Sequence, residues 1–185
     1  ERLLDAAEAL FMERGYKAVT LREIANALEI KQASIYHHVD GKESLFVEVV
    51  ERSFTRHQAG LRAAISGEAD HDVESRLRAA ARWMLSQKPV DFGRMINSDM
   101  TALKSAEKRA RLMELGYNAL LVPLEEIFTD AFRHGVIRMM HPTMLAGGMI
   151  SLINAVQWSP AEDTPEEQQR MANELIDVFV NGLRK

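Results

Sequence analysis

Between residues 31 and 42 the chain gathers Lys31, Gln32, Ser34, Tyr36, His37, His38 and Lys42, with only Ile35 and Val39 as strong apolar anchors. These side chains donate and accept hydrogen bonds, and two of them are cationic. An element with so little to bury and so much to offer is there to present its side chains to a polar partner. Glutamine pairs two-pronged with adenine, lysine reaches the acceptors of guanine, and a small group such as Ala33 fits a thymine methyl. Lys31, Gln32, Ala33, Ser34 and His37 are therefore candidates for base contacts, against the plain alternative of exposed helix residues. Lys42 begins the next helical pattern, where free N–H groups and the helix dipole favour an anion. Its functional reading is a phosphate clamp; by position alone it is an ordinary surface lysine.

Two further elements must hold this set in place. Thr20 and Glu23 fit a capping box, and Ile24, Ala27 and Leu28 follow at helical spacing. Thr20 can cap that helix and reach a phosphate through its hydroxyl, and Arg22, in the first turn, can do the same. Two short helices joined by a brief turn, the second one polar, make the helix-turn-helix arrangement that lays a helix in the major groove of DNA.

The run Thr-x-Arg-Glu-Ile-Ala at 20–25, Ser-Ile-Tyr-x-His at 34–38 and Lys-Glu-x-Leu at 42–45, preceded by LLDAAEALFMERGYKAVT at 3–20, resembles the DNA-binding domain of TetR-type transcriptional repressors. The resemblance covers about a quarter of the chain; the rest matches only in length and helical character. It implies that Tyr36 and His38 contact the phosphate backbone. It also implies a helical C-terminal part that encloses a small-molecule effector, a homodimer that reads a palindromic operator, and repression relieved by ligand. Three positions depart from the family pattern. Glu29 stands where glycine commonly closes the second helix, Lys31 where serine or threonine caps the third, and Val39 where an aromatic follows. The first two leave the shape of the 29–31 turn open.

Composition narrows the alternatives. The chain has 185 residues, 46% apolar, 27% charged and without cysteine, so a full core is possible and thiolate metal sites and disulfides are not. The net charge is −4, and residues 1–46 hold six Lys and Arg against eight Asp and Glu. That balance argues against a protein that coats nucleic acid, which should be basic, but not against one that places a few donors well. No apolar run approaches the ~20 residues needed to span a bilayer, and no signal-peptide pattern is present, so a cytoplasmic location with no membrane partner is expected. Residue 1 falls inside the first helical pattern, so a short N-terminal extension is expected ahead of it. His37 and His38 are adjacent and point about 100° apart on a helix, which disfavours a shared metal ion. No phosphate loop, nucleophile elbow or zinc-protease motif occurs. No catalytic residue, metal or cofactor is expected.

The expected fold is all-α: a three-helix helix-turn-helix domain over 1–46 and a helical effector-binding and dimerisation domain over 47–185. Helices are predicted at 2–14, from 42 to about 66, and at 73–87, 91–103, 105–134, 142–157 and 165–183. Leu3, Ala7, Leu10, Phe11, Tyr16, Val19, Ile24, Leu28, Ile35, Leu45 and Phe46 should close the N-terminal core. Pro123, inside the 105–134 pattern, predicts a bend that opens space beside Tyr117, Leu120 and Leu121. Ten methionines suit an adaptable interior. Trp83, Met84, Phe92, Met95, Met100, Met113, Tyr117 and Leu121 are the candidates to line an effector pocket, with Arg94, Asn97 and Asp99 as polar anchors; the plain alternative for each is core or surface. Helices 142–157 and 165–183 carry wide apolar faces, and Gly147-Gly148 within the first costs stability unless another helix approaches closely. They are read as the homodimer interface, against the alternative that they only close the monomer core. The helix from Lys42 is the expected lever between ligand and DNA. Two rivals remain: a TetR-like DNA binder controlled by a protein partner instead of a small molecule, and a helical enzyme or scaffold that mimics the motif.

Overall fold

In the computed structural model the described residues are 1–69, 72–87, 95–158 and 164–184, with the side chains of residues 96 and 97 excepted. Helices α1 (Arg2–Arg14), α2 (Leu21–Ala27), α3 (Gln32–Ile35), α4 (Lys42–Ser66) and α5 (Val73–Ser86) come first. A π-helical stretch, Met95–Asp99, and a 3-10 turn, Met100–Ala102, follow. Helices α6 (Ala106–Leu120), α7 (Val122–Arg133), α8 (Pro142–Gln157) and α9 (Pro165–Leu183) complete the chain. Among the described residues the extended structure is limited to an isolated antiparallel bridge between Ile137 and Arg184. The fold is all-α.

Local chemistry sets most helix ends. Gly15, at φ 82°, ends α1 in a backbone conformation that glycine adopts without strain. Both Thr20 with Glu23 and Thr164 with Glu167 form complete capping boxes. Pro142 and Pro165 stand in the first turns of α8 and α9, where a missing N–H costs nothing.

Two expectations are corrected. The 105–134 pattern is not one bent helix: α6 ends at Leu120 and α7 begins at Val122, with Pro123 in its first turn. Proline cannot donate to the preceding turn and its ring crowds it, so the rod breaks where a bend was expected. Over the described part of 91–103 the chain winds as π and 3-10 turns in place of a regular α-helix.

The chain divides into two compact units, residues 1–55 with 90–116, and residues 56–89 with 117–185. In the first, Ala7, Phe11, Val19, Ile24, Ile35, Leu45 and Phe46 are buried as expected. Phe46 meets Phe11 edge-on at 5.2 Å between ring centroids and Tyr16 at 4.8 Å. Arg52 of α4 reaches Asp5 at 2.8 Å and Glu8 at 2.6 Å on α1.

The second unit packs Leu61, Leu77, Leu124, Ile127, Phe128, Met149, Ile153, Ile176 and Val180 into one cluster. The Trp83 indole lies so close against Gly60 that a Cβ there would overlap it. His57, one turn before Gly60, meets the same indole edge-on at 4.5 Å. Arg78 and Asp177 pair α5 with α9.

The turn between α2 and α3 keeps its sharp shape despite the absence of glycine. Glu29 takes φ 57°, the left-handed region where a side chain is crowded by the backbone. Glu29→Gly should therefore raise stability by about 0.5–1 kcal/mol, the relief of strain exceeding the added freedom of the unfolded glycine. A shift of the urea midpoint to higher concentration would show it; a shift to lower concentration would mean that the turn carries no strain.

Candidate nucleic-acid interface

The presenting element is built from very little. Lys31 caps α3 in extended conformation without a side-chain hydrogen bond, and α3 itself is only Gln32–Ile35. The expected helix through His38 stops at Ile35. His38 and Val39 N–H groups donate to the Ile35 carbonyl at 2.9 and 3.1 Å, so the chain continues as a turn. Ile35 is fully buried and Val39 nearly so. Lys31 to Ala33 and Tyr36 to His38, beside them, face outward.

Lys31, Gln32, Ala33, Tyr36, His37 and His38 are exposed and Ser34 is half-buried. Tyr36, at 56% exposure, is not a core aromatic. Thr20 and Arg22 are also exposed at the start of α2. The Thr20 hydroxyl accepts the Glu23 N–H at 3.2 Å and donates to the Glu23 carboxylate at 2.7 Å. The Thr20 hydroxyl and then the Thr20 backbone N–H, which donates to the same carboxylate at 2.8 Å, hold the Glu23 carboxyl below its ordinary range. A phosphate contact by Thr20 would have to rotate this hydroxyl away from Glu23.

Lys42 is not a free surface lysine. Its Nζ donates to the Val19 carbonyl at 2.7 Å and, more loosely, to that of Lys17 at 3.4 Å. The ammonium lies 4.4 Å from the centroid of the Tyr16 ring. Burial lowers its pKa, while the charges of Glu23 and Asp99 act in the opposite direction. The Tyr16 backbone N–H in turn donates to Asp99 Oδ1 at 3.0 Å.

The start of α4 is anchored by its neighbour Glu43. The Glu43 carboxylate accepts the N–H groups of Lys104 at 2.9 Å and Ser105 at 3.2 Å, which hold it below the usual carboxylate range. Lys108 donates to the Ser44 hydroxyl at 3.0 Å. The start of α4, which follows the reading stretch, is thus tied to residues 104–108, which are remote in sequence. Asp99 and Tyr16 were not recognisable as part of this site, because their roles depend on a contact across 83 positions.

The candidate effector residues separate. Met95 and Met100 are buried and Met113 exposed in the first unit. In the second, Met84 is buried, Trp83 and Leu121 are half-buried, and Tyr117 is exposed with its hydroxyl donating to Glu125 at 2.7 Å. Phe92 and Arg94 lie outside the described residues, as does the side chain of Asn97. The second unit carries a groove of about 600 Å³ lined by Arg76, Val122, Glu125, Glu126, Thr129, Asp130 and Arg133. None of the expected pocket residues lines it. Among the described residues no group of three or more His, Asp or Glu is placed to hold a metal ion. No described helix is long and apolar enough to cross a membrane.

Comparison with known proteins places this geometry. Residues 3–49 match the family described as bacterial regulatory proteins, tetR family. Over 48 residues the chain is 52% identical to the HTH-type transcriptional repressor KstR2 of Rhodococcus jostii, covering 26% of this chain and 24% of the relative. Over 54 residues it is 41% identical to the icaADBC operon negative regulator IcaR of Staphylococcus epidermidis, covering 29% of each. The chain thus spans about a quarter of the length of the curated relatives it matches. The fold extends further than the sequence likeness. AibR, solved with isovaleryl coenzyme A and operator DNA, superposes with a TM-score of 0.76 at 22% identity over 96% of this chain and 97% of that one. The fatty acid degradation regulator FadR of Bacillus halodurans gives 0.75 at 17% identity, over 99% of this chain and 95% of that one. Through residues 3–49, the chain carries a helix-turn-helix segment that matches the tetR family of bacterial regulatory proteins.

Proposed function

We propose that this chain is a dimeric transcriptional repressor that binds a palindromic operator, one half-site per subunit, under control of a small apolar or amphipathic ligand. The observation that carries the reading is α3: four residues held by one buried isoleucine, with the neighbouring polar side chains exposed apart from the half-buried Ser34. Residues 1–46 are assigned to DNA and 47–185 to effector binding and dimerisation. Lys31, Gln32, Ala33, Ser34 and His37 read bases, while Thr20, Arg22, Tyr36, His38 and Lys42 hold phosphates. Binding chromosomal DNA places the protein in the cytoplasm.

Dimerisation through 142–157 and 165–183 is supported by apolar surface that the subunit leaves uncovered. Met171, Leu175, Val178 and Gly182 share one face of α9, with Val178 73% exposed. Met144 of α8 is 71% exposed, and Gly147 and Gly182 have open space where a side chain would stand. Ligand control is supported by two structural neighbours, one solved with isovaleryl coenzyme A and one a fatty acid degradation regulator. Such a ligand acts by fitting the DNA-incompetent state better than the competent one.

The test is selection of bound fragments from the host genome with wild type, Tyr36→Ala and Gln32→Ala. Wild type should enrich a palindrome. Tyr36→Ala should bind all sequences more weakly, whereas Gln32→Ala should relax one base position by about 1–3 kcal/mol. A folded wild-type dimer that enriches nothing, with and without cell extract, would refute the reading.

A further inference from the structure

Asp99 is the buried charged side chain among the described residues, at 4% exposure. A charge so placed is costly unless something answers it. Part of the answer is the Tyr16 N–H at 3.0 Å, and part is the field it shares with the Lys42 ammonium. That ammonium is turned inward, onto the carbonyls of Val19 and Lys17 and the face of the Tyr16 ring. Carbonyl oxygens, a π-face and a carboxylate all favour the cation on this inner side. A DNA phosphate must compete with all of them.

Resting on the DNA-binding reading above, we propose that Asp99 is a positioning residue that restrains the Lys42 ammonium in its inward seat and thereby limits the DNA affinity of the reading head. Asp99 closes the π-helical stretch Met95–Asp99, an irregular winding of the kind often found at functional positions. Rewinding that stretch would move the carboxylate relative to Lys42 and change phosphate contact through one lysine, with α3 left in place. Regulation would then enter the reading head electrostatically.

The test is a double-mutant cycle with Asp99→Asn and Lys42→Met, read by binding to a duplex carrying the selected operator over a range of salt concentrations. Asparagine keeps an acceptor for the Tyr16 N–H and removes the charge; Asp99→Ser, which also keeps an acceptor, is the second variant should the first fail to fold. Removing the charge should tighten binding about three- to fivefold and steepen the salt dependence by about one phosphate contact. In the Lys42→Met background it should do neither. Equal tightening in both backgrounds would mean that Asp99 acts as general negative charge, and no change in the wild-type background would mean that it does not act on DNA affinity. Either result overturns the proposal while the functional reading stands. Failure of wild type to bind any duplex overturns both.

Discussion

Phe46→Ala should remove about 3–5 kcal/mol of stability, enough to unfold the first compact unit under conditions where the wild type is intact. Phe46 is 2% exposed and touches two aromatic rings, Phe11 at 5.2 Å and Tyr16 at 4.8 Å. Truncation to a methyl leaves a cavity whose walls are rings, which cannot collapse to fill it. The same change releases the Tyr16 ring, on which the Lys42 ammonium rests. Urea unfolding measures the loss, and Phe46→Leu should recover more than half of it. A loss below about 1 kcal/mol would mean that this core repacks freely.

Acid should weaken the second unit in a defined window. Burial, helped by the neighbouring Arg56 charge, lowers the pKa of His57 from 6.5 to about 4. In the unfolded chain the imidazole takes a proton near its ordinary pKa, and in the folded chain it does so only near 4. Between those values the unfolded state binds the extra proton, so stability falls as pH drops. The contribution is absent above about pH 7, grows from 6.5 downward and is complete near 4, at roughly 3 kcal/mol. Glu23 and Glu43, held below the ordinary 4.5, add a separate loss only below that value. His57→Phe keeps a ring against Trp83 and should flatten the curve between pH 6.5 and 4.5. It should not weaken the protein at pH 7, because the buried His57 Nε2 finds no hydrogen-bond partner among the described residues. An unchanged acid limb in this variant would mean that His57 does not carry the effect.

What could be read from residues alone follows the range of the interaction that decides it. Helix starts at Thr20, Pro142 and Thr164 are set by chemistry within four residues, and those boundaries hold. The left-handed Glu29 was not readable in this way, because a glutamate in place of the usual glycine left the shape of the 29–31 turn open. The reading helix ends sooner than the Ile35 and Val39 spacing suggests, because two buried residues four apart fit a helix and a turn equally well. Pro123 shows the limit of periodicity: the apolar pattern runs across it unbroken while the helix does not. Asp99 was read as a polar anchor for the effector pocket or a surface group, whereas it is buried against the Tyr16 N–H. Tyr16 and Lys42 are among the groups that answer its charge, and nothing in Met-Ile-Asn-Ser-Asp announces them.

The sparse anchoring of α3 bears on how such proteins diversify. Where one side chain carries the packing of a recognition element, the positions beside it can vary with almost no effect on folding. Substitutions at Gln32, Ala33 and His37 should stay within about 0.5 kcal/mol of neutral, as exposed positions usually do. A duplicated gene could then wander through operator preferences without passing through misfolded intermediates. Selection would act on recognition with fold stability held nearly constant, and new specificities would lie only single substitutions apart.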